Sequence, residues 1–264
     1  MSDEASIESG YTTMELPERS IFLYEKPQVL TREDHGKLGI TPAERPFDFA
    51  SKTNTVPIVA TEIASAQKSY PVIFSNLENP QLFAVVSVVQ DRNLFVDDNG
   101  RWAPSHYIPA YLRRYPYALA RGDNDKFALV IDRASPAVVE QAQYPFFSGE
   151  ALSEDTNQMV EFCRQMEAER QRTIDFINKL KELDLLSVQE LKTGDGEGAA
   201  EGQPALASYY AVNTQKLNDL SADNIKELHE SGYLSFIFAH LFSLENWGRL
   251  LERRQFLLDS SQQE

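Results

Sequence analysis

At 264 residues, 42% hydrophobic and 11% aromatic, the chain can bury a sizeable core without staples, as one large domain or two small ones. A formal charge of −15 repels phosphate backbones and anionic membrane surfaces, which argues against general nucleic-acid binding. The lone cysteine, Cys163, excludes an internal disulfide. The start MSDEASIESG lacks a basic, then apolar leader, and the most apolar stretch, 233–244, is too short to cross a bilayer, so a cytoplasmic location with no membrane span is expected.

Residues 1–20 are polar and aperiodic and read as a flexible arm. A β-rich half follows over 21–149. It opens with a short strand across 21–30 that Pro27 breaks. The glycines and prolines of 35–53 predict surface loop, pinned by Phe47 and Phe49. Strands are expected at 71–74 and 82–89, the latter buried on both faces. Two hairpins come next. One turns on Asn99-Gly100, whose positive φ angles suit a tight turn, and one turns at 122–125 between strands 117–120 and 126–131. Between them Pro109 starts a short helix that ends before Pro116.

Helices dominate afterwards. Ser153 caps a long helical segment (150–192) whose apolar residues Met159, Phe162, Cys163, Met166, Ile174, Ile177 and Leu180 run to about Leu186. It is either one extended arm or two helices joined near 168–172. Residues 193–204, glycine-rich and acidic, form a linker. The last segment, 205–264, predicts a strand at 207–213, a helix from Ser221 to the Gly232 stop, and an amphipathic helix over 234–256, completing the same domain. The expected fold class is α+β, a mainly antiparallel N-terminal sheet packed on C-terminal helices that include one long helix.

Motifs for chemistry are sparse. The glycine-rich stretch fits no phosphate-binding pattern, and its acids would repel a pyrophosphate. Asp97, Asp98 and Gly100 lack the spacing of a calcium loop. With His35, His106, His229 and His240 at no metal-ligand spacing, neither metal nor cofactor is expected. His240 lies in the apolar run FIFAHLF and is either a desolvated base or a core histidine whose nitrogens find backbone partners. Cys163 reads as packing, and no nucleophile elbow occurs.

The sharpest anomaly is 101–122, RWAPSHYIPAYLRRYPYALARG. It has no acidic residue, four arginines (Arg101, Arg113, Arg114, Arg121) and five aromatics, Trp102, Tyr107, Tyr111, Tyr115 and Tyr117. Arginine forks bind carboxylates and phosphates bidentately and aromatic faces add stacking, which suits an anionic small molecule, a peptide or a protein partner. The competing reading pairs these arginines with the chain's own surplus carboxylates. Arg101, Trp102, His106, Tyr107, Tyr111, Arg113 and Arg114 are the candidate contact residues. The long helix is in turn a candidate surface for a homodimer.

The string LFVDDNGRW at 94–102, continued by YIPAYLRRYPY at 107–117, resembles the signature of the bacterial SapC family. Supporting blocks are VPIV at 56–59, YPVIF at 70–74 and FAHLFSL at 238–244. The resemblance spans about residues 20–255 and leaves out the glycine-rich linker. It implies kinship with a surface-layer-associated protein and with gene neighbours of halogenase-like, cupin-like and TonB-dependent receptor proteins, and it carries over no catalytic residue. The first expectation is a non-catalytic binding or accessory protein, linked to a nutrient-uptake locus, that uses the basic aromatic segment. Two alternatives stand beside it: an enzyme with a site around His106, Tyr107, Arg113 and Arg114, and a structural surface-layer component.

Overall fold

The computed structural model describes residues 21–78, 80–121, 127–192 and 205–261. The arm at 1–20, the turn at 122–125 and the linker at 193–204 therefore lie outside the described residues. In chain order the first elements are β1 (Pro27–Val29), α1 (Arg32–His35), β2 (Leu38–Ile40), β3 (Thr55–Pro57), α2 (Ile63–Ala66), β4 (Val72–Phe74), β5 (Leu82–Val85) and α3 (Ala110–Arg113). Then come β6 (Tyr117–Arg121), β7 (Phe127–Asp132), β8 (Val138–Glu140), β9 (Tyr144–Pro145), β10 (Phe147–Ser148), β11 (Ala151–Leu152) and α4 (Glu154–Glu182). The last are β12 (Leu186–Lys192), β13 (Ala205–Val212), α5 (Thr214–Asn218), α6 (Ala222–Glu230), α7 (Tyr233–Ser243) and α8 (Asn246–Ser261). Among the described residues every sheet pairing is antiparallel and the long helices lie in the C-terminal half, so the fold is α+β as the sequence predicts.

The chain forms two compact units. One takes the described residues up to Ala43 and Arg114–Arg164, the other Glu44–Arg113 and Gln165 onwards, the division falling inside α4.

In the first unit β7 lies between β1 and β6, and β2 between β8 and β9. The β6–β7 ladder runs from Tyr117 opposite Ile131 to Arg121 opposite Phe127, as the second hairpin requires. Leu38, Tyr117, Ile131, Val138, Phe146 and Cys163 form its core. Burial pushes the Cys163 thiol up to about 11, so it packs as a small apolar group.

Two expectations need correction in this unit. The strand across 21–30 shrinks to β1, which begins at Pro27. A proline is tolerated there because β1 is an edge strand that can lack a donor at its first residue. The loop expected from residue 35 contains β2, the central strand of its sheet. Gly39 permits this pairing, since a Cβ there would stand 2.2 Å from the Tyr144 carbonyl oxygen and 2.5 Å from the Pro145 Cα. Glycine in 35–53 thus marks a close backbone approach, not a loop. Gly39→Ala should cost about 2 kcal/mol or more, read as a lowered urea midpoint, and an unchanged midpoint would remove this account of the β2–β9 contact.

In the second unit five strands run in the order β12-β13-β4-β5-β3. The 82–89 strand stops at Val85, because the next two amides, Val86 and Ser87, both donate to the Asn54 carbonyl and turn the chain away. At Asn99-Gly100 only Gly100 has a positive φ, and the flanks share a single bridge, Val96 with Trp102. The turn is instead an Asp97 cap. Asp97 Oδ1 accepts from the Asn99 and Arg101 amides at 2.9 and 2.8 Å, and the Asp97 amide donates to the Arg101 carbonyl.

The long helix is one uninterrupted run of 29 residues, which decides between the two forms left open. Ser153 Oγ accepts from the Thr156 amide at 3.2 Å, the expected N-cap. The helix stops four residues early. Asp184 adopts a left-handed φ of 51° and the Leu185 amide reaches back to the Leu180 carbonyl, a Schellman closure that releases Leu186 into β12.

The amphipathic helix expected over 234–256 is two helices. Asn246 Nδ2 donates to the carbonyls of Gln67, Tyr70 and Ser243, and this side chain pins the break between α7 and α8. The helix before it, α6, has the predicted Ser221 cap, whose Oγ accepts from the Asn224 amide.

Among the described residues β13 and β4 pair at one position, Tyr210 opposite Phe74. The ladder donors on either side still need acceptors. α7 supplies them: His240 Nε2 accepts from the Val212 amide at 3.1 Å and Ser243 Oγ from the Val72 amide at 2.9 Å. No helix among the described residues is long and apolar enough to cross a membrane.

Candidate functional site

The candidate segment divides between the units, Arg101 to Arg113 falling in the second and Arg114 in the first. Its aromatics are mostly inward. Trp102 is 8% exposed, donates from Nε1 to the Tyr70 hydroxyl at 3.1 Å, and lies near Phe95, Phe47 and Tyr70 with ring centroids 5.7–6.3 Å apart. Phe47 thus anchors its stretch as expected. Tyr70 donates in turn to the Tyr107 carbonyl, and burial raises its phenol well above the ordinary range. Tyr111 is buried on α3.

Tyr107 is the polar centre of the segment. Its hydroxyl donates to Glu62 Oε1 at 2.9 Å and accepts from Arg113 Nη2 at 3.3 Å. Burial first, and the Glu62 carboxylate next, push its phenol up to about 12. Arg113 is exposed, holds the Ile108 carbonyl through Nε at 3.1 Å, and lies 5.8 Å from the Tyr107 ring centre. Arg101 is exposed, with its backbone fixed by Asp97. Arg114 is half-buried.

Glu62 was not marked by the sequence reading. It is a buried carboxylate that accepts from the Val59 and Ala110 amides at 2.9 and 2.7 Å besides Tyr107. The only local signal is its place three residues after Val59, the acidic position of a capping box without the usual Ser or Thr. Arg253 carried no local signal at all. It lies 4.3 Å from the Phe95 ring centre and 2.7 Å from His106 Nε2.

His106 packs edge-on to Phe95 at 5.0 Å. Burial, then Arg253 and Arg249, hold its imidazole below the ordinary value. His240 stands apart from these residues in role. It is fully buried against Phe74, its Nε2 is committed to Val212, and burial drops its pKa to about 4. That commitment makes it a core histidine. Its lone pair completes a sheet and is not free to take a substrate proton.

In the second unit the candidate residues therefore form a hydrogen-bonded aromatic scaffold that carries two exposed guanidinium groups. Such an arrangement, on an antiparallel α+β fold, defines a protein with an ordered basic surface segment. A family model described as SapC matches residues 30–250, and the chain belongs to the SapC family. Comparison with curated proteins and with solved structures returns no match.

Proposed function

We propose that this SapC-family protein is a non-catalytic binding or accessory protein that meets an anionic partner, either a carboxylate-bearing peptide or protein surface or an anionic small molecule, through its 101–113 segment. The observation that supports the reading is the exposure of Arg101 and Arg113 on a segment without acidic residues, in a chain of net charge −15. A planar guanidinium fork matches a carboxylate bidentately, and the Arg113 group, already held by the Ile108 carbonyl and the Tyr107 hydroxyl, loses little freedom on pairing. In this reading Trp102, His106, Tyr107 and Tyr111 hold the platform and Arg101 and Arg113 make the contact.

The family resemblance is what supports a role beside a nutrient-uptake locus, and the single cysteine supports a reducing, cytoplasmic location. A surface-layer structural role is the rival drawn from the family's name, and it requires ordered self-assembly at high concentration. The test is a double charge reversal, Arg101→Glu with Arg113→Glu, in a pull-down from cells of the source locus. The double variant should keep its circular dichroism and lose the captured partner at least about tenfold, an effect expected where two charged contacts are reversed. Capture of the same partner at wild-type level would sink the proposal.

A further inference from the structure

Where the end of α2 meets the break between α7 and α8, the second unit has a cleft of about 310 Å³ lined by Gln67, Lys68, Phe242, Glu245, Asn246 and Arg249. One wall is fixed by Asn246, which is 3% exposed. Its Nδ2 donates to the Gln67, Tyr70 and Ser243 carbonyls, and its Oδ1 accepts from Arg249 Nη1 at 3.3 Å. The rim is apolar on the α7 side, where Phe242 is 60% exposed and stacks with the exposed Phe238 at a centroid distance of 6.5 Å.

Glu245 and Arg249 have the spacing and order, acid first and base one turn later, that favour an ion pair on a helix. They do not pair. Glu245 precedes the first residue of α8, and the Arg249 guanidinium donates instead to the neutral Asn246 amide. Among the described residues neither of them, nor Lys68, forms an ion pair with any other group. The cleft therefore presents two cations and one anion that are not neutralised by one another. A simple anion entering it would face Glu245, and a simple cation would face Lys68 and Arg249. A molecule that carries both charges close together satisfies all three.

We propose that this cleft binds a free amino acid with an apolar side chain, its carboxylate between Arg249 and Lys68, its ammonium on Glu245 and its side chain over Phe242. Guanidinium and ammonium groups make charge-assisted hydrogen bonds to a carboxylate, and covering the exposed Phe242 ring removes apolar surface from water on both partners. A cleft at the small end of the range for ligand sites suits a single amino acid better than a peptide. The site shares no residue with the proposed contact through Arg101 and Arg113, so either can fail without the other.

Calorimetric titration of the full chain with L-phenylalanine tests it, with phenylpropionate and phenethylamine as controls that each lack one charge. L-Phenylalanine should bind with a Kd below about 1 mM and each control at least about tenfold more weakly. Glu245→Gln should weaken L-phenylalanine by about tenfold while phenylpropionate binds as well as before or better, a reversal that loss of folding cannot produce. Arg249→Met should weaken both carboxylates by about tenfold. Should that variant fail to fold by circular dichroism, Lys68→Met serves in its place, since the Lys68 side chain holds nothing in the fold. An L-phenylalanine Kd above about 1 mM, a control that binds as tightly as L-phenylalanine, or binding unmoved by Glu245→Gln would each overturn the proposal.

Discussion

Acidification from pH 7.5 to pH 4 should remove about 3 kcal/mol of stability from the second unit through His240 alone, the free energy that corresponds to lowering its pKa from 6.5 to about 4. Because the folded value lies below the ordinary one, the unfolded chain takes up the proton first. The stability is fully present above about pH 6.5, declines as the pH falls from there, and is wholly lost once the pH passes below about 4. His106, also held low, adds loss of the same sign within the same unit. The cause is burial of an imidazole whose Nε2 must stay unprotonated to accept from the Val212 amide. Urea titrations followed by tryptophan fluorescence will read it, since both tryptophans, Trp102 and Trp247, lie in this unit. His240→Gln cannot titrate, so its stability should fall less steeply across the window by about 3 kcal/mol. Parallel wild-type and variant curves would show that His240 does not carry the effect.

Replacing Asp132 by alanine should cost the first unit about 3–5 kcal/mol, the range seen when a buried charge network loses one member. The carboxylate is 0% exposed and collects four donors. Oδ1 accepts from the Lys26 and Ala134 amides at 2.8 and 3.1 Å, and Oδ2 from the Glu25 amide and the Tyr115 hydroxyl at 3.0 Å each. Removing it leaves four donors without their acceptor and loosens β1 from the end of β7, where Pro27 sits opposite Asp132. Asp132→Asn should fall between the two, because one acceptor oxygen becomes a donor facing donors. Tryptophan emission is blind to this unit, so far-UV circular dichroism with exchange of the 117–121 and 127–132 amides is the measurement. An alanine variant within about 1 kcal/mol of wild type would mean that water replaces the carboxylate at little cost.

How much was legible depends on the range of the forces involved. The Ser153 and Ser221 caps, the short helix after Pro109 and the β6–β7 pair were readable because each is decided within a few residues. Strand β2 was not, since its glycine looks like loop punctuation until Tyr144 and Pro145 arrive from a hundred residues away. The split between α7 and α8 has the same origin, as the partners that hold Asn246, Gln67 and Tyr70, lie in the first half of the chain.

The basic, aromatic segment at 101–122 was visible as composition, the family in its motif strings, and the α+β class in the order of strand and helix signals. Composition counts charges and rings but carries no directions. Only the tertiary structure decided that Trp102 and Tyr111 turn inward while Arg101 and Arg113 face solvent, and that Tyr107 meets a buried Glu62. It likewise decided that the histidine of the apolar run serves as a ladder acceptor for β13, and that His106 answers to an arginine 147 residues later. Local propensity acts over one turn or one strand, whereas a buried polar atom must find its partner wherever the packed chain brings one.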